Sequence, residues 1–179
     1  MEVIWQRIWE AVSAIPDGQD WLGAIALLGA YAMVALAIGF GSGWLEVKVL
    51  PLPRDRALKL AAGLLLLPAV VEELVFRVLL LPRPSQTSDR TTWLVWGTVS
   101  LVLFVLYHPL NALTLFPAAR QLFADLLFLL LAAGLGFVCS VAYWLSGSLW
   151  TPVAIHWIVV VVWLLFLGGY GRLYANSDR

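Results

Sequence analysis

Long apolar runs separated by short polar stretches dominate the chain. A helix spans a bilayer when roughly 20 consecutive residues are apolar, because the hydrocarbon core is about 30 Å thick and a helix rises about 1.5 Å per residue. Five runs approach that length, and we predict that each is a membrane span. They cover residues 22–43, 57–81, 91–108, 122–145 and 149–167.

Two other segments are apolar but too short to cross a bilayer. Residues 3–15 place apolar side chains at helical spacing with Arg7 and Glu10 between them, which predicts an interfacial amphipathic helix that ends at Pro16. Residues 110–119 follow Pro109, which a helix accommodates only at a kink or an end. We therefore predict that this second segment is re-entrant or interfacial.

These elements predict an all-α fold, a polytopic transmembrane helical bundle. Residues 1–20 form an amphipathic N-terminal segment, and residues 21–179 form a single transmembrane domain. Composition supports this interpretation, since 62% of the residues are hydrophobic, 12% are charged and the mean hydropathy is +0.90. Soluble domains are about half apolar and a quarter charged, so water is not the solvent for most of this surface.

Charge narrows the expected partners and location. The formal net charge is zero, which gives no reason to expect a nucleic-acid partner. With five spans, one side of the bundle collects most of the lysines and arginines, and the positive-inside rule places that side in the cytoplasm. We expect a multi-pass protein of a plasma or inner membrane, with the lipid bilayer around it.

The second span contains three ionisable residues, Glu72, Glu73 and Arg77. A charge within a span costs about 2.5–3.5 kcal/mol on insertion scales, so each one needs a partner or a purpose. Glu73 and Arg77 are four residues apart and can form an ion pair on one helix face. Glu72 points about 100° away and has no local partner, so a polar cavity is expected beside it. Pro68 predicts a kink one turn before it.

The chain has two histidines, His108 and His156. His108 closes the third span with Phe104 one turn earlier on the same face, and His156 lies about one turn into the fifth span. A glutamate and two histidines from three helices are sufficient to bind and activate a water molecule. They could equally hold a catalytic zinc with three ligands. Taken singly, each also has a structural explanation, as an ion-pair member or an interfacial residue.

Three short motifs lie in order on consecutive hydrophobic segments. Residues 72–77 read as EExxxR, residues 104–108 read as FxxxH, and His156 follows a Gly-Ser-Leu-Trp-Thr-Pro stretch that resembles the lead-in to an HxxxN-type motif. This pattern is similar to the CPBP family of intramembrane proteases, which includes the CAAX prenyl endopeptidases and bacteriocin-processing proteins. The resemblance covers roughly residues 57–167.

The resemblance implies a glutamate-type intramembrane endopeptidase that acts on a membrane-associated peptide or protein. In that family's pattern Glu72 would be the general base, and His108 would hold the same water. His156 would stabilise the oxyanion, with Glu73, Arg77 and Phe104 as structural support. The resemblance implies no cofactor and no metal ligand. The family has also been described as metal-dependent, so a catalytic zinc remains an alternative.

One position departs from the family pattern, which has asparagine four residues after the third histidine. Position 160 here is Val160. Loss of one oxyanion donor typically costs about 100- to 1000-fold in rate. Asn111 or Ser148 could supply a donor from elsewhere, or the chain is a slow enzyme, or it is an inactive relative that acts as a membrane scaffold or binds peptides. A small permease that relays protons through Glu72 and the histidines is a further alternative.

Overall fold

A computed structural model describes residues 2–83, 89–114 and 116–174, and in these ranges the chain is almost entirely helical. The α-helices are α1 (Glu2–Ser13), α2 (Gly18–Gly41), α3 (Arg54–Leu64), α4 (Val71–Glu73), α5 (Arg90–Thr114), α6 (Arg120–Phe123), α7 (Leu126–Ser146), α8 (Trp150–Phe166) and α9 (Gly169–Tyr174). Two π-helical segments, π1 (Leu65–Val70) and π2 (Leu74–Leu79), flank α4, and Pro117–Ala119 forms a 3-10 turn. No β-strand occurs within the described ranges. The predicted all-α fold is therefore confirmed.

The long helix α7 lies at the centre of the bundle. It packs against α2, α5 and α8, and half of its apolar stretch is buried inside the protein. Asp125 begins α7 by accepting a hydrogen bond from the backbone N–H of Phe128 at 2.8 Å, and Gly147 ends it with a positive φ of 62°. The three other longest helices therefore meet at α7, which makes it the scaffold against which the polar residues are placed.

The second predicted span is not a continuous helix. Pro68 lacks an N–H and its ring clashes with the preceding turn, so the helix breaks there. Leu67, with φ −130° and ψ 113°, has left the helical region. The kink expected at Pro68 is therefore present, and it separates α3 from the short helix α4 that carries Glu72 and Glu73.

The predicted end of the third span, at His108, is wrong. We expected it to stop at His108, before Pro109, and expected residues 110–119 to form a re-entrant or interfacial piece. The structure continues α5 through Pro109 to Thr114. Proline removes only one backbone hydrogen bond, and membrane helices tolerate that loss when neighbouring helices surround them. Residues 110–114 are thus the last turn of α5, and no separate re-entrant helix forms in the described part of this segment.

Within the described ranges, three helices are long and apolar enough to cross a membrane, namely α2, α5 and α7. Helix α8 is equally apolar but has 17 residues, and the segment 54–79 is interrupted at Leu67. Large apolar side chains are exposed along the outer faces of these helices, such as Met33 on α2 and Leu130 on α7. Such a surface needs lipid rather than water around it. The chain is an integral membrane protein, and the count of five spans stays a prediction.

Helix α1 packs across the end of π2, which follows the two glutamates, and across the start of α8, which carries His156. The Arg7 guanidinium donates to the backbone carbonyl of Leu81, just beyond π2, and Glu10 forms an ion pair with Arg83. The indole N–H of Trp150, the first residue of α8, donates to the carbonyl of Val12 at 2.8 Å. The outer face of α1 keeps aromatic and aliphatic side chains exposed, as expected for an interfacial helix.

We expect Glu10→Gln to loosen α1 from the bundle, because Arg83 is largely buried and would lose its anionic partner. The expected loss is about 1.5–3 kcal/mol, the usual contribution of a hydrogen bond to a charged group. Thermal unfolding in detergent and protease accessibility of residues 2–13 would measure it. Glu2→Gln on the same helix is the matched control, since Glu2 is exposed. Equal melting temperatures for the two variants would contradict the docking role of Glu10.

Candidate active site

Glu72 and Glu73 are consecutive residues of α4, after the break at Leu67, so their side chains lie on different faces of this short helix. Glu72 faces an internal cavity and retains 8% exposure, whereas Glu73 is fully buried. The Oε2 atom of Glu72 is buried and has no hydrogen-bond partner in the described residues. A carboxylate oxygen in that condition is ready to bind a water or substrate group, because an unpartnered buried acceptor is costly.

Glu73 connects the arginine to a histidine from a different helix. Its Oε2 lies 3.1 Å from Arg77 Nε, so the ion pair expected from the four-residue spacing is present. Its Oε1 lies 2.7 Å from His156 Nδ1, a contact between residues 83 positions apart. The four-residue spacing predicts a pair between Glu73 and Arg77, but nothing in the sequence predicts the contact between Glu73 and His156.

Arg77 is completely buried and is held by several groups besides Glu73. Its Nη2 donates to the carbonyl of Gly136 on α7 at 2.8 Å, and its guanidinium carbon lies 4.5 Å from the centre of the Phe104 ring. A cation over an aromatic face is stabilised by the ring quadrupole. The Phe104 ring also lies edge-on to His108 and His156, with ring centres 5.0 and 6.1 Å away. Phe104 therefore keeps the arginine and both histidines in fixed relative positions.

Gly136 allows this close approach, and we expect Gly136→Ala to destabilise the protein by about 1–3 kcal/mol, the usual cost of overpacking. A Cβ at this position would lie 2.9 Å from Leu101 Cδ1, 2.9 Å from Phe104 Cδ1 and 3.1 Å from Arg77 Nη2. Gly29→Ala is the matched control, because a Cβ there meets nothing within 4 Å. Thermal unfolding of both variants would test the packing, and an unchanged melting temperature for Gly136→Ala would contradict it.

His156 presents one ring nitrogen to each glutamate. A carboxylate only accepts, so Nδ1 carries the hydrogen that is donated to Glu73. The opposite nitrogen, Nε2, then faces Glu72 and lies 3.9 Å from its Oε2. That separation is too long for a direct hydrogen bond, and it is short enough for a single water molecule to hydrogen-bond to both atoms.

His108 is fixed in a similar way by a backbone group. Its Nδ1 lies 2.9 Å from the carbonyl oxygen of Phe104, which can only accept, so Nδ1 carries the hydrogen. In the neutral ring Nε2 then has a free lone pair. The ring packs edge-to-face against Phe104, Phe123 and Phe128, which restricts its orientation.

All three predicted site residues line one cavity of about 710 Å³ between α2, α4, α5, α7 and α8. Most of the other lining side chains are apolar or aromatic. The remaining polar neighbours include Tyr107 and Asn111, and Val160 also borders this space. The structure thus brings Glu72, His108 and His156 together, with Glu73 and Arg77 behind them.

Among the residues that the structure describes, no group of three or more His, Cys, Asp and Glu side chains is arranged to hold a metal ion. His156 and His108 each use Nδ1 for a hydrogen bond within the protein, to Glu73 and to a backbone carbonyl, which leaves Nε2 of each ring available. The alternative of a catalytic zinc stays a prediction.

A carboxylate and two imidazoles around one cavity of a helical membrane protein are groups that can activate a water molecule. A protein-family model described as type II CAAX prenyl endopeptidase Rce1-like matches residues 55–162. The match covers more than half of the chain and includes all the motif residues. The chain belongs to this family of CAAX-type intramembrane proteases, which confirms the CPBP resemblance. Searches of curated proteins and of solved structures found no match.

Proposed function

We propose that the protein is a glutamate-type endopeptidase that hydrolyses a peptide bond of a membrane-associated peptide or protein. One observation carries the proposal. The unpartnered Oε2 of Glu72 and the Nε2 of His156 lie 3.9 Å apart on the wall of a cavity inside the bundle. A base and an imidazole at this separation can hold one water between them.

In the first chemical step Glu72 removes a proton from the bound water while the water oxygen attacks the scissile carbonyl carbon. The carbonyl double bond opens, and its electron pair becomes the oxyanion of a tetrahedral intermediate. When the oxyanion collapses, the carbon–nitrogen bond breaks and the leaving nitrogen takes the proton from Glu72. The products are one carboxylic acid and one amine, and the carboxylate of Glu72 is restored.

The two histidines have different roles in this proposal. Neutral His108 accepts a hydrogen bond from the water through its free Nε2 and helps to orient it. His156 keeps Nδ1 on Glu73 and, in this proposal, donates from Nε2–H to the oxyanion. Glu73 is thus a positioning residue that fixes the His156 ring, since carboxylate partners commonly hold a functional imidazole in one orientation.

The lining of the cavity indicates the kind of substrate. Apolar side chains surround the polar site, so an extended peptide with apolar side chains or an attached lipid would be better accommodated than a charged one. A prenylated C-terminus, a leader peptide and a lipoprotein all have this chemistry. We also propose that the protein crosses a plasma or inner membrane several times, which places the cavity at the depth of such substrates.

Cleavage of these three substrate types in membranes tests the proposal. Membranes containing the natural chain or Glu72→Gln would receive a prenylated C-terminal peptide, a leader peptide and a lipoprotein precursor, and fragments would be identified by mass spectrometry. We expect cleavage of at least one substrate by the natural chain and none by Glu72→Gln. Equal fragment yields from both samples would contradict the role of Glu72.

A second function, an inactive scaffold that binds membrane peptides, is favoured by one observation. Val160, which stands where the family resemblance leads us to expect an asparagine, borders the cavity with an apolar side chain. Under this alternative, substrates would bind with equal affinity to the natural chain and to Glu72→Gln, and neither would cleave them.

A further inference from the structure

The family resemblance places an oxyanion-binding asparagine at position 160, where this chain has Val160. Residues His156 and Val160 are four positions apart on α8, so both side chains lie on one helix face, and both border the cavity. Among the described residues that line this space, one has a carboxamide side chain, and that residue is Asn111. We infer that Asn111 on α5 supplies the oxyanion-binding amide that the family pattern places at position 160, an inference that rests on the proposed function.

Helix α5 carries both His108 and Asn111, which places Asn111 near the proposed site. Because the helix continues through Pro109, His108 and Asn111 are three residues apart on one uninterrupted helix. That spacing puts them about 60° apart around the axis and about 4.5 Å apart along it, so they share a face. A helix that ended at His108 would have sent Asn111 into a loop.

The bonding state of Asn111 points in the same direction. Its Oδ1 is buried and has no hydrogen-bond partner in the described residues. A buried amide oxygen without a partner destabilises a fold, so its presence on the cavity wall one turn beyond His108 is explained if the amide group binds something that enters the cavity. Since none of the described protein groups hydrogen-bonds to the amide, rotation about its terminal bond can present Nδ2–H to the oxyanion.

Ser148, the other donor considered from the sequence, is committed elsewhere. Its hydroxyl donates to the carbonyl of Ala14 at 2.6 Å and accepts from the backbone N–H of Trp150 at 3.1 Å. These bonds join α1 to the start of α8, and Ser148 does not border the cavity. Ser148 is therefore part of the docking site of α1.

Four chains test the inference when their Glu72-dependent cleavage rates are compared: the natural chain, Asn111→Leu, Val160→Asn and the double variant. We expect Asn111→Leu to lower kcat by about 100- to 1000-fold with little change in KM, because the amide acts on the transition state. The melting temperature should stay the same or rise, since leucine removes an unpartnered polar group from an apolar cavity. Val160→Asn should change the natural chain only a few-fold but restore most of the rate lost in Asn111→Leu.

Thr114→Val is the matched control, because Thr114 lies on the next turn of α5, is exposed and bonds only within its own helix. If Asn111→Leu does not fold, Asn111→Asp keeps the shape, removes the amide donor and should show the same loss of kcat. An unchanged kcat in Asn111→Leu, or an equal gain from Val160→Asn in both backgrounds, overturns the inference and leaves the protease proposal standing. Cleavage by the chains that contain Val160→Asn, with none by the natural chain, also overturns the inference about Asn111. Absence of Glu72-dependent cleavage in all chains overturns both.

Discussion

Replacing Glu73 by glutamine is expected to lower the free energy of unfolding by about 3–5 kcal/mol, the cost of breaking a buried ion pair from one side. Glu73 and Arg77 are both fully buried, so the guanidinium would keep its charge without a counterion. The substitution would also remove the anion that holds His156 Nδ1. Thermal unfolding in a mild detergent would show the loss as a large fall in melting temperature.

Two further variants separate the ion pair from a general effect of mutation at this site. Glu72→Gln should leave the melting temperature unchanged or raise it, because Glu72 Oε2 makes no hydrogen bond to the described residues that the substitution would remove. The double variant Glu73→Gln/Arg77→Met should recover much of the stability, since replacing a whole buried pair by uncharged groups is often neutral. If Glu72→Gln and Glu73→Gln lowered the melting temperature equally, the division between a reactive and a positioning glutamate would be wrong.

The polar residues of the candidate site could be identified from the sequence, because placing an ionisable side chain in a membrane span costs free energy. Glu72, His108 and His156 were the ionisable groups without a local partner, and all three lie on the wall of one cavity. The pairing of Glu73 with Arg77 followed from helical spacing alone, and the ion pair is present. Both inferences depend only on local periodicity and on the cost of burying charge.

Contacts between distant parts of the chain could not be predicted in this way. Nothing in the spacing of residues relates Glu73 to His156, since the packing of α8 against the broken second segment decides that contact. The end of α5 was wrong because the local preference of Pro109 was outweighed by packing inside the bundle. The cavity position of Asn111 follows from that same continuation, so it too required the structure.

The second large effect concerns catalysis. Glu72→Gln is expected to lower the rate of peptide-bond cleavage by about 100- to 10,000-fold, the usual contribution of a positioned general base. Glutamine keeps the size of the side chain and can still hydrogen-bond to water, but its amide cannot take the proton. The fold should remain intact for the reason given above, so the loss of rate would not be a loss of protein. Glu2→Gln, on the exposed face of α1, controls for the removal of a carboxylate elsewhere.

The most direct measurement is the cleavage rate of one membrane peptide by the purified protein in liposomes, followed by mass spectrometry of both fragments. The natural chain, Glu72→Gln and Glu2→Gln would be compared at equal amounts of folded protein. The account predicts two complementary fragments that differ from the substrate by one water, formed by the natural chain and Glu2→Gln and reduced at least about 100-fold in Glu72→Gln. Fragments formed at the same rate by Glu72→Gln would contradict the account.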